Sequence, residues 1–289
     1  MGPISYLPSN MILITGGNGV IGAQLALKLQ SRGEKVRILG IEPGNYDRDL
    51  LQTGVEIRFG DVTRRKDCEA AMTDIDIVYH LAAVLSSPEN PLKFHSVNVG
   101  GTQAILAAAE RNKVRHFIFI SSISVIYPRR NVYSASKAEA EEWVKRSPFP
   151  WTVARPCLVL DGLEYRAFAA AVLRSPVLLL PRRGAARKRP IDLEDLAKAL
   201  TKLAGNDKVM GKTIALGGKE IVSLHNMAEA ILRARGLDKP VWPIPEILLR
   251  TAATLTELLS RTFQRKISWL SHQSIDGLVY DAAPEICEE

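Results

Sequence analysis

The chain has 289 residues, enough for one large domain or a domain with a smaller cap. Hydrophobic residues make up 46% and charged residues 24%, which excludes a disordered chain, a collagen-like repeat and a coiled coil. Lysine and arginine outnumber aspartate and glutamate, 38 to 31, for a net charge of +7. No apolar run approaches the roughly 20 residues that span a bilayer.

Residues 1–10 hold no basic segment followed by an apolar core, so they do not read as a signal peptide. From Met11 the chain alternates strands and helices. The pattern predicts strands at 11–14, 36–39, 55–59, 75–80, 116–120 and 151–154. Between them it predicts helices at 20–31, 68–72, 97–111 and 133–146, with Gly33 closing the first. This rhythm argues a parallel sheet with helices on both faces, and ligands of such sheets bind beyond the carboxyl ends of the strands.

After Arg155-Pro156 the rhythm changes. Helical patches at 164–174, 193–204, 224–235 and 247–263 are joined by proline- and glycine-rich links, with one strand-like run at 212–216. They read as a smaller cap. The stretch after Trp242-Pro243-Ile244-Pro245 carries Ile247, Leu248, Leu255, Leu258 and Leu259. It reads as cap core; Arg250, Arg261, Arg265 and Lys266 make a membrane-surface helix the less favoured alternative. The basic run from Arg182 to Arg189 reads as a solvated loop. Its rivals are a site for an anionic substrate or a contact with acidic lipid, and no nucleic-acid motif accompanies it.

Cys68, Cys157 and Cys287 are odd in number and widely spaced, which points to a reducing, cytoplasmic setting rather than a disulfide framework or zinc module. His80, His95, His116, His225 and His272 have no metal-ligand spacing, and His80 reads as structural. Asp192 and Asp195 read as helix-capping or orienting carboxylates rather than an acid/base pair.

Two motifs carry chemistry. In Thr15-Gly16-Gly17-Asn18-Gly19-Val20-Ile21-Gly22, a strand turns into a helix through glycines that let the backbone approach a pyrophosphate. The second strand then runs Leu39-Gly40-Ile41-Glu42. Gly40 stands where an acid reading a free ribose 2′-hydroxyl is expected, and Glu42 is placed to reach back. Arg37, Arg64 and Arg65 are the nearest bases for a 2′-phosphate. NAD is the favoured cofactor, with NADP open. In Tyr133-Ser134-Ala135-Ser136-Lys137, tyrosine and lysine share one helix face. An ammonium there would lower the phenol pKa, so the pair could exchange a proton with a hydroxyl or carbonyl.

Together these residues resemble the short-chain dehydrogenase/reductase superfamily, extended branch, the NAD-dependent epimerase/dehydratase family. The resemblance runs through nearly the whole chain from Met11. It rests also on Gly60-Asp61-Val62, His80-Leu81-Ala82-Ala83, Asn98-Val99-Gly100-Gly101-Thr102, Arg155-Pro156 and Pro190–Asp195. It implies an α/β fold, a Rossmann-type doubly wound parallel sheet with a smaller C-terminal substrate cap. Residues 11–156 would be the dinucleotide-binding domain. Residues 157–289 would be a mostly helical cap interleaved with it.

It further implies Tyr133 as acid/base and Lys137 as its partner on the nicotinamide ribose. Gly16, Asn18, Gly19, Val20, Ile21, Gly22, Glu42, Asp61, Val62, Leu81, Ala82, Ala83 and Pro156 would hold the cofactor. A hydroxyl after the fifth strand should hold the substrate oxygen. The family's usual position is Ile123 here, so Ser122 is the first choice and Ser124 the second. The expected enzyme oxidises, reduces, epimerises or dehydrates a small-molecule secondary alcohol or ketone, as a homodimer through helices 97–111 and 133–146.

Leu158 replaces a polar residue of sugar-nucleotide members, which argues against a nucleotide sugar. The apolar runs 169–173 and 177–180 would suit a steroid-like substrate, although a packed core is the plainer reading for most of them. The rival function is a non-catalytic nucleotide-binding docking protein resembling the accessory subunit of respiratory complex I. Cys287-Glu288-Glu289 reads as a helix stopped before the family's usual glycine, which implies further chain.

Overall fold

Met11–Thr15 forms β1, and its alternation buries Ile12 and Ile14 on one face of a sheet and Leu13 on the other. The computed structural model describes residues 11–41, 46–87, 89–264 and 270–283. Residues 1–10, Glu42, Arg265, Lys266 and Cys287 lie outside them.

The chain continues through α1 (Val20–Ser31), β2 (Lys35–Gly40), α2 (Asp47–Gln52), β3 (Glu56–Phe59), α3 (Arg65–Ala71) and β4 (Ile75–His80). Then come α4 (Thr102–Arg111), β5 (His116–Ile120), α5 (Val132–Lys145) and β6 (Trp151–Pro156). Gly33, with φ +83°, takes the left-handed position after α1. The second half adds α6 (Leu163–Arg174), β7 (Leu178–Leu180), β8 (Arg187–Lys188), α7 (Leu193–Thr201), β9 (Lys212–Leu216) and β10 (Val222–Ser223). It closes with α8 (Leu224–Arg233), β11 (Val241–Pro243), α9 (Glu246–Thr262) and α10 (His272–Val279).

Seven strands form one parallel sheet in the order β3-β2-β1-β4-β5-β6-β9. The order reverses between β1 and β4, which opens a crevice beyond their carboxyl ends. On one face α1 and α7 pack on Ile14, Ile38 and Tyr79 through Leu25, Leu196 and Leu200. On the other, α3, α4 and α5 pack on Leu13, Val78 and Phe119 through Cys68, Ile105, Ala140 and Val144.

Several expectations need correction. The helix predicted to start at Val97 begins as a wide π-type turn over Phe94–Gly101 and becomes α-helical at Thr102. There Asn98 is drawn inward by the 81–84 loop, and a Cβ on Gly101 would press on the Val62 side chain at 2.7 Å. The run 212–216, read with the cap, is the edge strand of the main sheet, and α7 belongs to the main core. Most of the apolar residues expected to place α9 in the cap core do not do so; Ala253 and Leu249 pack inward, against Ile275 and Val279. Ile247, Leu248, Leu255, Leu258 and Leu259 are exposed, and the buried side of α9 is carried by Arg250, Ala253 and Ser260. No helix among the described residues is long and apolar enough to cross a membrane. The helices α2 and α10 were not anticipated.

Candidate active site

The turn after β1 brings three backbones together. Gly16 has φ +67°, and a Cβ on it would lie 2.9 Å from the Ala82 backbone. A Cβ on Gly22 would strike the Gly16 carbonyl and the Gly17 backbone. The Ala23 N–H makes the helical bond to the Gly19 carbonyl at 2.8 Å, so the N–H groups of the preceding first turn have no acceptor within the helix. The loop therefore offers donors, a positive helix end and no side chain in the way, which fits a pyrophosphate.

Beneath the loop runs a buried hydrogen-bonded chain. The Ala82 N–H donates to Thr15 Oγ1 at 3.2 Å, and that hydroxyl meets His80 Nδ1 at 2.6 Å. His80 Nε2 lies 2.9 Å from Thr102 Oγ1, whose own proton goes to the Asn98 carbonyl at 2.6 Å. Thr102 has one proton to give, so Nε2 carries the hydrogen and Nδ1 accepts from Thr15. Burial pushes His80 down to about 3 and His116 down to about 4. His80 is thus a neutral brace beneath the glycine turn.

Unfolding lets both imidazoles charge near their ordinary 6.5, so the unfolded chain binds the extra protons. Their contribution to stability is present above pH 6.5 and is lost as pH falls toward 4 and then 3. Urea unfolding from about pH 7.5 to about 4.5 should show a midpoint that falls steadily with acidity.

At the end of β5, Ser122 caps the short 3₁₀ turn Ile123–Ile126 and meets Ser124 Oγ at 2.9 Å. The Ser122 hydroxyl also faces Tyr133 closely enough to hold the phenol pKa down. Both serines considered from sequence therefore bond each other and line one cavity with Tyr133. Asn131 caps α5 by accepting from the Ser134 N–H at 3.0 Å, which fixes the turn bearing Tyr133 and Lys137. Lys137 is fully buried. Its Nζ donates to the Ile120 carbonyl at 2.7 Å and sits 4.1 Å from the centre of the Phe119 ring.

The electrostatics depart from the simple expectation that Lys137 lowers the phenol. Burial pushes Tyr133 up to about 12, opposed by the nearby Ser122 hydroxyl, while Glu164 pushes it further up. Burial brings Lys137 down to about 7, opposed by the charge of Glu141. Glu141, unremarked in the sequence, is buried, accepts from Ser121 Oγ at 2.5 Å and forms a two-point pair with Arg155 at 2.9 and 2.6 Å. Its signal was its place one turn after Lys137.

One cavity of about 670 Å³ joins these parts. Gly16, Asn18, Gly19, Val20, Ile21, Gly22, Asp61, Val62, Leu81, Ala82, Ala83 and Pro156 line it, together with Ser122, Ser124, Tyr133 and Lys137. Glu42 lies outside the described residues.

The cap supplies a largely apolar wall of Leu158, Leu163, Ala167, Phe168, Leu224 and Leu278. The runs 169–173 and 177–180 do not form it; Val172 and Leu178 pack against Ala228 and Leu232 inside the cap. The basic run is not uniformly solvated either. Arg187 pairs with Asp281 at 3.4 Å, while Lys188 turns inward, lines the cavity and donates to the Tyr280 carbonyl at 2.7 Å. Lys188 was read from sequence only as part of the basic run, and Glu164 only as the start of a helical patch; both line the cavity.

Asp192 caps α7 by accepting from the Glu194 N–H at 2.7 Å, and Asp195 pairs with Lys198 at 3.4 Å. Among the described residues no group of His, Cys, Asp and Glu is placed to hold a metal. Cys68 and Cys157 are free and buried, and burial raises their thiols to about 12 and about 11.

The fold and glycine turn define a Rossmann-type nucleotide-dependent enzyme of the short-chain dehydrogenase/reductase kind. Residues 12–217 match the model of the NAD dependent epimerase/dehydratase family, and the chain belongs to that family. It is 26% identical to a 3 beta-hydroxysteroid dehydrogenase/Delta 5-->4-isomerase of Mycobacterium tuberculosis, over 93% of this chain and 81% of that one. It is also 26% identical to a 4-hydroxy-2-methyl-3-oxo-4-farnesyl-3,4-dihydroquinoline-1-oxide ketoreductase of Stigmatella aurantiaca, over 86% and 80%. The fold matches UDP-glucose 4-epimerase of Thermus thermophilus, solved in complex with NAD, with a TM-score of 0.67 and 23% identity over 81% of this chain and 86% of that one.

Proposed function

We propose that the chain is an NAD-dependent oxidoreductase that interconverts a secondary alcohol and a ketone in an apolar-bodied substrate. The observation that carries this reading is that Tyr133, Ser122 and Lys137 line the same cavity as the glycine turn. NAD, when bound, supplies or accepts the hydride. Ser122, oriented by Ser124, holds the substrate oxygen, and Tyr133 passes a proton to it or takes one from it. Lys137, anchored on the Ile120 carbonyl, reaches the ribose side of the site and offsets phenolate charge. The apolar cap wall and the names of the mycobacterial and myxobacterial relatives support a hydrophobic ring system over a nucleotide sugar.

The preference for NAD rests on what surrounds the ribose position. A Cβ on Gly40 would run into the Asn18 side chain, which donates to the Ile41 carbonyl at 3.3 Å, so Asn18 fills the space an acid would take. Arg37 cannot reach a 2′-phosphate. It is buried, with Nη1 on the Ala71 and Thr73 carbonyls at 3.0 and 2.6 Å and Nε on Glu56 at 2.9 Å. Arg64 and Arg65 are exposed, and Arg65 is engaged by Glu69 at 2.7 Å.

Calorimetric titration with oxidised and reduced NAD and NADP tests this reading. We expect NAD(H) to bind at least about tenfold tighter, because a 2′-phosphate would lack the charge-assisted contact that an available Arg37 would give it. Absence of binding by all four would overturn it. The non-catalytic docking reading draws no comparable support, because both proton-transfer residues are intact and buried beside the cofactor turn. A homodimer through α4 and α5 is supported by the exposed Trp143 on α5.

A further inference from the structure

The reading above leaves Glu164 among the charged groups of the cavity without a task. Glu164 lies in the first turn of α6 and lines the chamber beside Leu163, Phe168 and Leu278. Its side chain is exposed and lines the chamber, so water reaches it while the chamber is open. Its carboxylate makes no hydrogen bond and no ion pair within 4.0 Å to any described residue. Lys188 acts on it only through space; the Lys188 ammonium is taken up by the Tyr280 carbonyl at 2.7 Å and the Tyr127 hydroxyl at 3.4 Å. The surrounding protein raises the Glu164 pKa above its ordinary 4.5, burial first.

A helix dipole favours an acid in a first turn, but a solvent-facing one would serve equally. This one is turned into the chamber, and α10 makes room for it: a Cβ on Gly277 would strike Glu164 Oε1. An apolar ligand that fills the chamber would strip the water from this carboxylate, which costs free energy unless the ligand supplies a donor. The wall also decides which donor. The Lys188 ammonium disfavours a cationic group, and the leucines and Phe168 offer nothing to a second acid.

We infer that Glu164 accepts a hydrogen bond from a second hydroxyl of the substrate, so that the chamber takes an apolar alcohol or ketone bearing a hydroxyl away from the reacting carbon. The inference rests on the oxidoreductase reading for which carbon reacts, but its test needs no turnover. Equilibrium binding of a 3β-hydroxysteroid carrying a second hydroxyl at the far end of the ring system, and of its monohydroxy counterpart, is measured on protein saturated with NAD.

The wild type should prefer the dihydroxy compound by about tenfold, a charge-assisted hydrogen bond. Glu164→Ala should remove that difference, and so should Gly277→Ala, which keeps the carboxylate but displaces it. Retained NAD binding shows that each variant is folded. No preference in the wild type, or a preference that survives Glu164→Ala, overturns the inference. Failure of the oxidoreductase reading is seen separately, as absent NAD(H)-linked turnover with these and other alcohols.

Discussion

Tyr133→Phe is expected to lower kcat for any alcohol or ketone the protein turns over by about a thousandfold, within the span typical of a lost acid/base group. The change removes one oxygen and little packing. The Tyr133 ring is buried with its centre 6.3 Å from that of Phe94 in an edge-on contact that phenylalanine retains. Ser122 keeps its bond to Ser124 at 2.9 Å, so no isolated hydroxyl is left behind. NAD affinity and the unfolding midpoint should therefore stay near wild type while turnover collapses. Turnover within about threefold of wild type would refute Tyr133 as the proton carrier.

The pH dependence has a definite sign. With the phenol raised to about 12 by burial, the base needed for alcohol oxidation is scarce at neutrality. Oxidation should speed up from about pH 7 to about 10, and ketone reduction, which needs the protonated phenol, should not. Phenylalanine at 133 should flatten the oxidation profile.

The strands, the glycine turn and the Tyr133–Lys137 spacing were legible because local chemistry dictates them. A buried parallel strand must be apolar on both faces, and a helix entering over a pyrophosphate needs glycine where Gly16 and Gly22 stand. The parts that were not legible depend on what the rest of the chain does with a segment. Gly40 looked like a missing acid, yet it is small because Asn18 occupies its space. Lys188 looked like one more cation in a basic loop, and its inward turn follows from the pairing of β8 with β10 and the bridge from Lys188 to Ala282. Glu164 is an ordinary first-turn acid until α10 packs over it. Leucine spacing in α9 promised a core face, but the helix is held by a buried arginine, so Leu248, Leu255, Leu258 and Leu259 point outward.

That arginine belongs to the link from α9 and α10 to α5, and breaking the link is the second large expected effect. Asp276 in α10 is 1% exposed. One of its oxygens accepts from Arg250 Nη2 of α9 at 3.0 Å and the other from Asn131 Nδ2 at 2.9 Å. Asn131 in turn caps the helix that presents Tyr133 and Lys137. Arg250 has a second partner, Glu246 at 2.6 Å, but that carboxylate is itself half-exposed.

Asp276→Ala leaves the buried guanidinium short of a charge and the Asn131 amide without its acceptor. A broken buried pair of this kind costs about 3–5 kcal/mol, which for a chain of this size lowers the unfolding midpoint by roughly 10 °C. Calorimetric melting with NAD present and absent measures it. Replacing both partners with apolar groups, Asp276→Leu with Arg250→Met, should restore most of that stability, because the uncompensated charge is gone. It should not restore the tie to Asn131. The double variant is therefore expected to melt near wild type yet keep a raised KM, which separates the energetic role of the pair from its role in holding the cap wall against α5. A double variant with wild-type KM would show that the pair only stabilises the cap.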